Sequence, residues 1–283
     1  MKMNKTIAKK FLLFATVTAS VLAAAPSLAA TFALSKGSFD LKNFSTDPLE
    51  VVTLTEADTF VISSGGDVIA EANAVSTFTP DSPDPLKRAR NKSLSTAEGE
   101  GSNYRGVAES FAGLIGYNFF VDAGETFSFD FNGFLNLITM IDNPPAESAS
   151  AEGTIALELY HSDDLSTPID FFTLSSNLET LGDDDFIVSA HSDNVFADND
   201  FTNKSNKSFG GTEEFALADF QGYYERTFAT ATYLTLVEAK TNKVTVKAPE
   251  ASNLLGLLFF GLLSIGYRVK TKSFTDKSKL LRD

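Results

Sequence analysis

The stretch Phe111-Ala112-Gly113-Leu114-Ile115-Gly116-Tyr117-Asn118-Phe119-Phe120-Val121, followed by Asp122-Ala123-Gly124-Glu125 and then Thr126-Phe127-Ser128-Phe129-Asp130-Phe131, decides the fold class. Phe111, Gly113, Ile115, Tyr117, Phe119 and Val121 fall at every second position, and Phe127, Phe129 and Phe131 alternate with Ser128 and Asp130. Side chains of a strand point to opposite faces in turn, so a period of two marks a sheet with one buried face. Asp122 to Glu125 is a turn by composition, and the pattern predicts a hairpin. Leu135, Leu137, Thr139 and Ile141 carry the period on, and Asn143-Pro144-Pro145 ends it because proline donates nothing to a ladder.

The same alternation spreads outward. Ile155, Leu157 and Leu159 form one unit, and Ile169, Phe171 and Thr173 return after a loop over 161–168. Tyr233, Thr235, Val237 and Ala239 alternate; Thr241-Asn242-Lys243 reads as a turn, with Val244 and Val246 pairing back. N-terminal strands are predicted over 32–41, 51–54, 60–62 and 67–78, and long loops over 79–101 and 181–211. Many short strands with Gly, Asn and Asp turns, and no long internal helix, predict an all-β domain over 30–247: a single β-sandwich, jelly-roll-like, whose interior is filled by an abundance of phenylalanine.

Residues 1–29 have the parts of a secretory signal peptide. Lys2, Lys5, Lys9 and Lys10 precede an apolar run from Phe11 to Ala25, and small residues place cleavage after Ala29 or Ala30. Signal peptidase is therefore an expected partner. The chain has no cysteine, so disulfides, thiolate metal sites and cysteine nucleophiles are excluded, and the exported fold must rest on core burial.

At the other end, Pro249-Glu250 precedes an apolar segment over 254–269, followed by the bases Arg268, Lys270 and Lys272 and a tail over 273–283. As a helix the apolar segment would be about 24 Å long, short against a hydrocarbon core of about 30 Å. The bases after it would hold the C-terminus in the cytoplasm and the preceding domain outside. This tripartite order over 248–272 resembles the PEP-CTERM sorting signal of bacterial exported proteins, with Pro249 and Glu250 matching its motif and Ala251 departing from it. The resemblance implies an exosortase-type membrane protease as partner. It further implies membrane tethering through the helix before processing, and release to the cell surface or exterior, in association with extracellular polysaccharide.

The chain has 23 Lys and Arg against 37 Asp and Glu, a net charge of −14. Setting aside the four bases of the first thirty residues, and the six bases and three acids from Pro249 onward, leaves 13 bases against 34 acids, a net −21. Nucleic acid is excluded as a partner, since phosphate contacts need clustered bases.

Chemistry is sparse. His161 and His191, each beside Ser and Asp, lie in expected loops with no accompanying catalytic motif. Asp130 and Glu158, on expected strands, are examples among many acids of candidates for the pair a glycosidase on this scaffold would need. Asp183, Asp184, Asp185, Asp193, Asp198 and Asp200 supply oxygen ligands for a structural calcium, although their spacing is not that of an EF-hand. Tryptophan, a common sugar platform, is absent; Tyr104, Tyr117, Tyr160, Tyr223, Tyr224 and Tyr233 could replace it. The expected protein is non-enzymatic, with no catalytic residues and no cofactor; a solvated turn is the preferred reading of the aspartates, and a structural calcium the alternative. The alternatives are a sugar-binding or glycan-active domain and a permanently anchored adhesin.

Overall fold

The computed structural model describes residues 30–79, 88–197 and 206–249, and these form strands joined by turns, with no helix among them. The elements are β1 (Ala30–Lys42), β2 (Glu50–Thr79), β3 (Arg88–Val121), β4 (Thr126–Ile141), β5 (Ser148–His161), β6 (Asp170–Glu179), β7 (Phe186–His191), β8 (Val195–Ala197), β9 (Asn206–Ser208), β10 (Glu213–Thr227) and β11 (Thr232–Ala248). All pair antiparallel in one curled sheet of order β7-β6-β5-β11-β3-β1-β4-β10-β8, with β2 on the free side of β3 and β9 on β10. The signal segment, the 254–269 segment, Glu250 and the bases Arg268, Lys270 and Lys272 lie outside the described residues.

The curl originates in β2 and β3, which pair along nearly their whole lengths. Residues 88–100 of β3 also pair with β1, and residues 104–121 with β11. The two halves of this ribbon fold back face to face: the Ser95 and Ser110 hydroxyls are 2.9 Å apart, and Ser76 Oγ donates to Gly113 O at 2.8 Å. Such an approach needs small residues, and Ala89, Ala97, Ala108 and Ala112 line it, all buried. At the bend Gly101 has φ +94° and Asn103 φ 52°. A Cβ on Gly66 would sit 2.1 Å from Glu100 O, so only glycine lets the two backbones pass.

Away from the bend the facing halves are filled by aromatic rings. Phe39 of β1, Phe131 of β4 and Phe220 of β10 meet Phe172 of β6, with Phe172 and Phe220 centroids 5.1 Å apart. A second group joins Phe44, Phe78, Phe119, Phe127, Phe129 and Tyr224. A polar seam also crosses the interior. Lys240 Nζ donates to Glu238 Oε1 at 3.0 Å with both side chains fully buried, and Asn242 Nδ2 donates to Ser35 Oγ. Burial pushes Glu238 up to about 7 and Lys240 down, each opposed by the partner's charge. Glu238 Oε2 and both polar atoms of Asn91 make no hydrogen bond to a described residue.

Several expectations are corrected. The hairpin over 105–141 does not exist: β4 pairs with β1 and β10, and the 122–125 turn carries the chain across from one half of the sheet to the other. That turn is held instead by Gly124 N to Phe228 O at 2.8 Å and Phe228 N to Glu125 O at 3.0 Å. The face of β3 also changes parity. Ala112 and Leu114 point inward, then a bulge at Tyr117–Asn118, where Asn118 has φ 57°, turns Phe119 and Val121 inward. In β6 the core residue is Phe172, not Phe171.

No turn interrupts β11, because Asn242 is satisfied inside the sheet. Three expected short strands merge into β2. Residues 88–100, read as loop, form strand, with Arg90 bonded twice to Asp40 of β1 at 2.6 and 3.3 Å. Strands β7, β8 and β9 occupy parts of the segment 181–211, also read as loop.

Replacing Gly101 by alanine forces a side chain into the left-handed region beside Gly66. It should destabilise the domain by about 1–3 kcal/mol in chemical denaturation, whereas Gly124→Ala, at φ +85° with open space around it, should cost no more than about 1 kcal/mol.

Candidate functional site

The strongest constellation lies on the outward face of β1, β4, β10 and β8. Register places Lys42, Asp130, Tyr223 and Phe196 side by side across four strands, and Asp40, Asn132 and Gln221 in the next row. Apart from Asp40 these residues line a groove of about 760 Å³, together with His191 at the end of β7 and Asp193 of the β7–β8 connection. Phe196 and Tyr223 are 45% and 44% exposed, and their rings stack with centroids 4.7 Å apart and planes at 15°. Two large rings stacked on each other with nearly half of their surface in solvent make an apolar wall beside polar side chains.

The parts are fixed from behind. Gly222 lets β8 approach: a Cβ there would lie 2.4 Å from Phe196 O and 2.5 Å from the Phe131 ring. Asn43 Nδ2 donates to Asp130 Oδ2 at 2.6 Å and sets that carboxylate. The connection carrying Asp193 is pinned by Asp170, which is 3% exposed. Asp170 accepts from Asn194 Nδ2 at 3.0 Å, Tyr224 Oη at 2.8 Å and Arg226 Nη1 at 2.9 Å. Burial alone would raise the Asp170 carboxyl, but hydrogen bonds from Arg226, Asn194, Ser192 and Tyr224 outweigh it and hold its pKa below the ordinary range. Burial and the adjacent Asp170 charge push the Tyr224 phenol far up, so it remains a donor.

The remaining candidates scatter. Asp130 and Glu158 point outward from opposite halves of the curled sheet, Asp130 into the groove and Glu158 to Tyr160 Oη at 2.6 Å, so they cannot flank one bond. His161 Nδ1 is 3.1 Å from Thr232 Oγ1 and His191 Nδ1 is 3.0 Å from Ser192 O; neither meets a serine nucleophile. Among the aspartates proposed for calcium, Asp184 offers its backbone carbonyl to Asn177 and Asp185 accepts from Glu179 N at 2.8 Å. Asp185 also meets buried Glu214, whose pKa burial and the neighbouring carboxylate raise. Asp193 belongs to the groove, and Asp198 and Asp200 lie outside the described residues. Among the described residues no three acidic or histidine side chains converge as metal ligands, and no helix is long and apolar enough to cross a membrane. Of the tyrosines, Tyr104 and Tyr224 are core, while Tyr223 and Tyr233 stay exposed. Phe196 escaped the sequence reading because it sits among aspartates with no alternation to flag it.

No protein-family model matches this chain, and no curated protein matches it. A solved structure described as a crystal structure of the lysenin pore aligns at 8% identity over 71% of this chain and 99% of that one, with a TM-score of 0.07. A superposition that poor defines no shared fold.

Asp170 contributes stability that is present above the ordinary carboxylate range near pH 4 and is lost as pH falls through its lowered folded pKa. Asp170→Asn leaves Arg226 without its counter-charge and should cost about 3 kcal/mol at neutral pH, the lower end for a buried pair because Arg226 is a third exposed. Urea denaturation across pH should show the variant converging on the wild type in acid; a constant gap would mean the lost contact is packing, not charge.

Proposed function

We propose that this is an exported, non-enzymatic surface or matrix protein that holds extracellular polysaccharide in the groove beside Phe196 and Tyr223. The observation carrying the proposal is that stacked, solvent-exposed pair standing over Asp130, Asn132 and Gln221. A sugar ring has an apolar C–H face and an equatorial rim of hydroxyls. The wall offers the face an apolar surface, and the carboxylate and amide groups offer the rim both acceptors and donors. Lys42 adds a cation at one end of the row, suited to a uronate or other acidic substituent. The reading of the fold as a two-layered, jelly-roll-like sandwich belongs to the same proposal. Its support is the set of contacts between facing halves, Ser95 to Ser110, Phe172 to Phe220 and Asp170 to Tyr224, and a chain that passes repeatedly from one half to the other.

Export and sorting rest on the two terminal addresses: a signal peptide cut after Ala29 or Ala30, and the Pro249-Glu250 motif, apolar helix and basic stop of an exosortase substrate. The glycosidase alternative is weakened by the separation of Asp130 from Glu158; the other carboxylate lining the groove with Asp130 is Asp193. Mass spectrometry of the protein from membranes and from medium should find an N-terminus at Ala30 or Thr31 and, in the released form, a C-terminus near Glu250. A released protein still ending at Asp283 would defeat the sorting proposal.

Binding is tested by titrating the purified protein with polysaccharides from its own producing cells, neutral and acidic. Tyr223→Ala and Phe196→Ala should each weaken binding by about tenfold or more, while Tyr233→Ala, on another exposed surface, should not. Retention of full affinity after loss of both groove rings would place the ligand elsewhere.

A further inference from the structure

β2 is a strand of 30 residues that pairs on one side only, with β3, and meets no strand on its other side among the described residues. Residues 53–65 are exposed on both faces, including Leu54, Phe60, Val61 and Ile62 at 50–59%. Exposed edges of this length are normally blunted by lysine, proline or a bulge. From Glu50 to Thr79 there is no lysine, arginine or proline; the charged residues are Glu50, Glu56, Asp58, Asp67 and Glu71.

The order on the outward face is Leu54, Glu56, Asp58, Phe60, Ile62: two acids between apolar side chains. Glu109, next to Asp58 on β3, already has its cation, Lys243, at 2.7 Å. Glu56 and Asp58 have no such partner among the ion pairs of the described residues, and they lie with Glu109 and Glu152 along a groove of about 550 Å³ over the adjoining strands.

A second copy of this chain is a poor occupant. The antiparallel self-pairing that sets Leu54 against Phe60 sets Glu56 against Asp58, and directly opposed like charges are destabilising. The same geometry suits a basic strand. We propose that the 54–62 edge of β2 is a strand-addition site for an extended segment of another protein, with two lysines or arginines opposite Glu56 and Asp58 and apolar residues on either side. Main-chain hydrogen bonds supply affinity, and the alternate side chains supply selection.

The probe is a fluorescein-labelled peptide, Val-Thr-Val-Thr-Lys-Thr-Lys-Thr-Val, titrated against the purified protein by anisotropy. Its one face reads apolar, apolar, basic, basic, apolar, the antiparallel complement of Ile62, Phe60, Asp58, Glu56 and Leu54. Saturable binding is expected, weakened about tenfold or more when both lysines are glutamate or when the threonine between the two lysines is proline. The double variant Glu56→Lys, Asp58→Lys should lose the lysine peptide and gain the glutamate one, with an unchanged circular dichroism spectrum. No saturable binding overturns the proposal. So does equal binding of the proline peptide, which would be non-specific charge attraction, or a concentration-dependent dimer that Phe60→Lys dissociates, which would make the occupant a second copy.

Discussion

The folding back of the β2–β3 ribbon is the constraint from which the rest of the molecule follows. Two long antiparallel strands can turn through such a corner only where backbone may approach backbone. Gly65, Gly66 and Gly101 supply that freedom on both strands, with Asn103 adding a left-handed residue. Once the corner is made, one half of the ribbon becomes the template for β1 and the other for β11. The two half-sheets therefore grow in register with each other. Near the corner they are separated by alanine and serine, and farther out by phenylalanine, so the interior widens from one side to the other.

That widening explains where the aromatic content goes. Phe39, Phe131, Phe172 and Phe220 meet at the broad end, where only large rings can span the gap. It also explains why the polar seam is tolerated. Asn242 Nδ2 reaches Ser35 Oγ across the gap and its backbone carbonyl accepts from Ser95 Oγ at 3.0 Å, while Lys240 pairs with Glu238 two residues away on the same strand. In a chain without cysteine these contacts, not covalent links, determine how the layers are aligned.

The all-β class and the inward phenylalanines of β4 were legible because Phe127, Phe129 and Phe131 keep a strict period between unambiguous turns. Pairing was not. The Asp122–Glu125 turn looks the same whether the strands it joins are neighbours or lie in facing halves, and only the partners of Phe228 distinguish the cases. Thr241-Asn242-Lys243 has the composition of a turn, and its place in the middle of β11 depends on Ser35 and Ser93, far away in sequence. The bulge at Asn118 inverts a pattern that otherwise reads cleanly. Half of the aromatic wall was visible, since Tyr223 stood among the tyrosines free to replace tryptophan. Phe196 depends on a three-residue strand that no period could reveal.

The position of β11 has a consequence for biogenesis. It is the last strand in chain order, yet it lies between β3 and β5, and Pro249 follows its final residue Ala248 directly. A ribosome or a translocation pore delivers residues from the N-terminus onward, so β5, β6 and β7 must wait without their inner neighbour until almost the whole domain has emerged. The domain thus closes like a keystoned arch, only when residues 232–248 have been delivered.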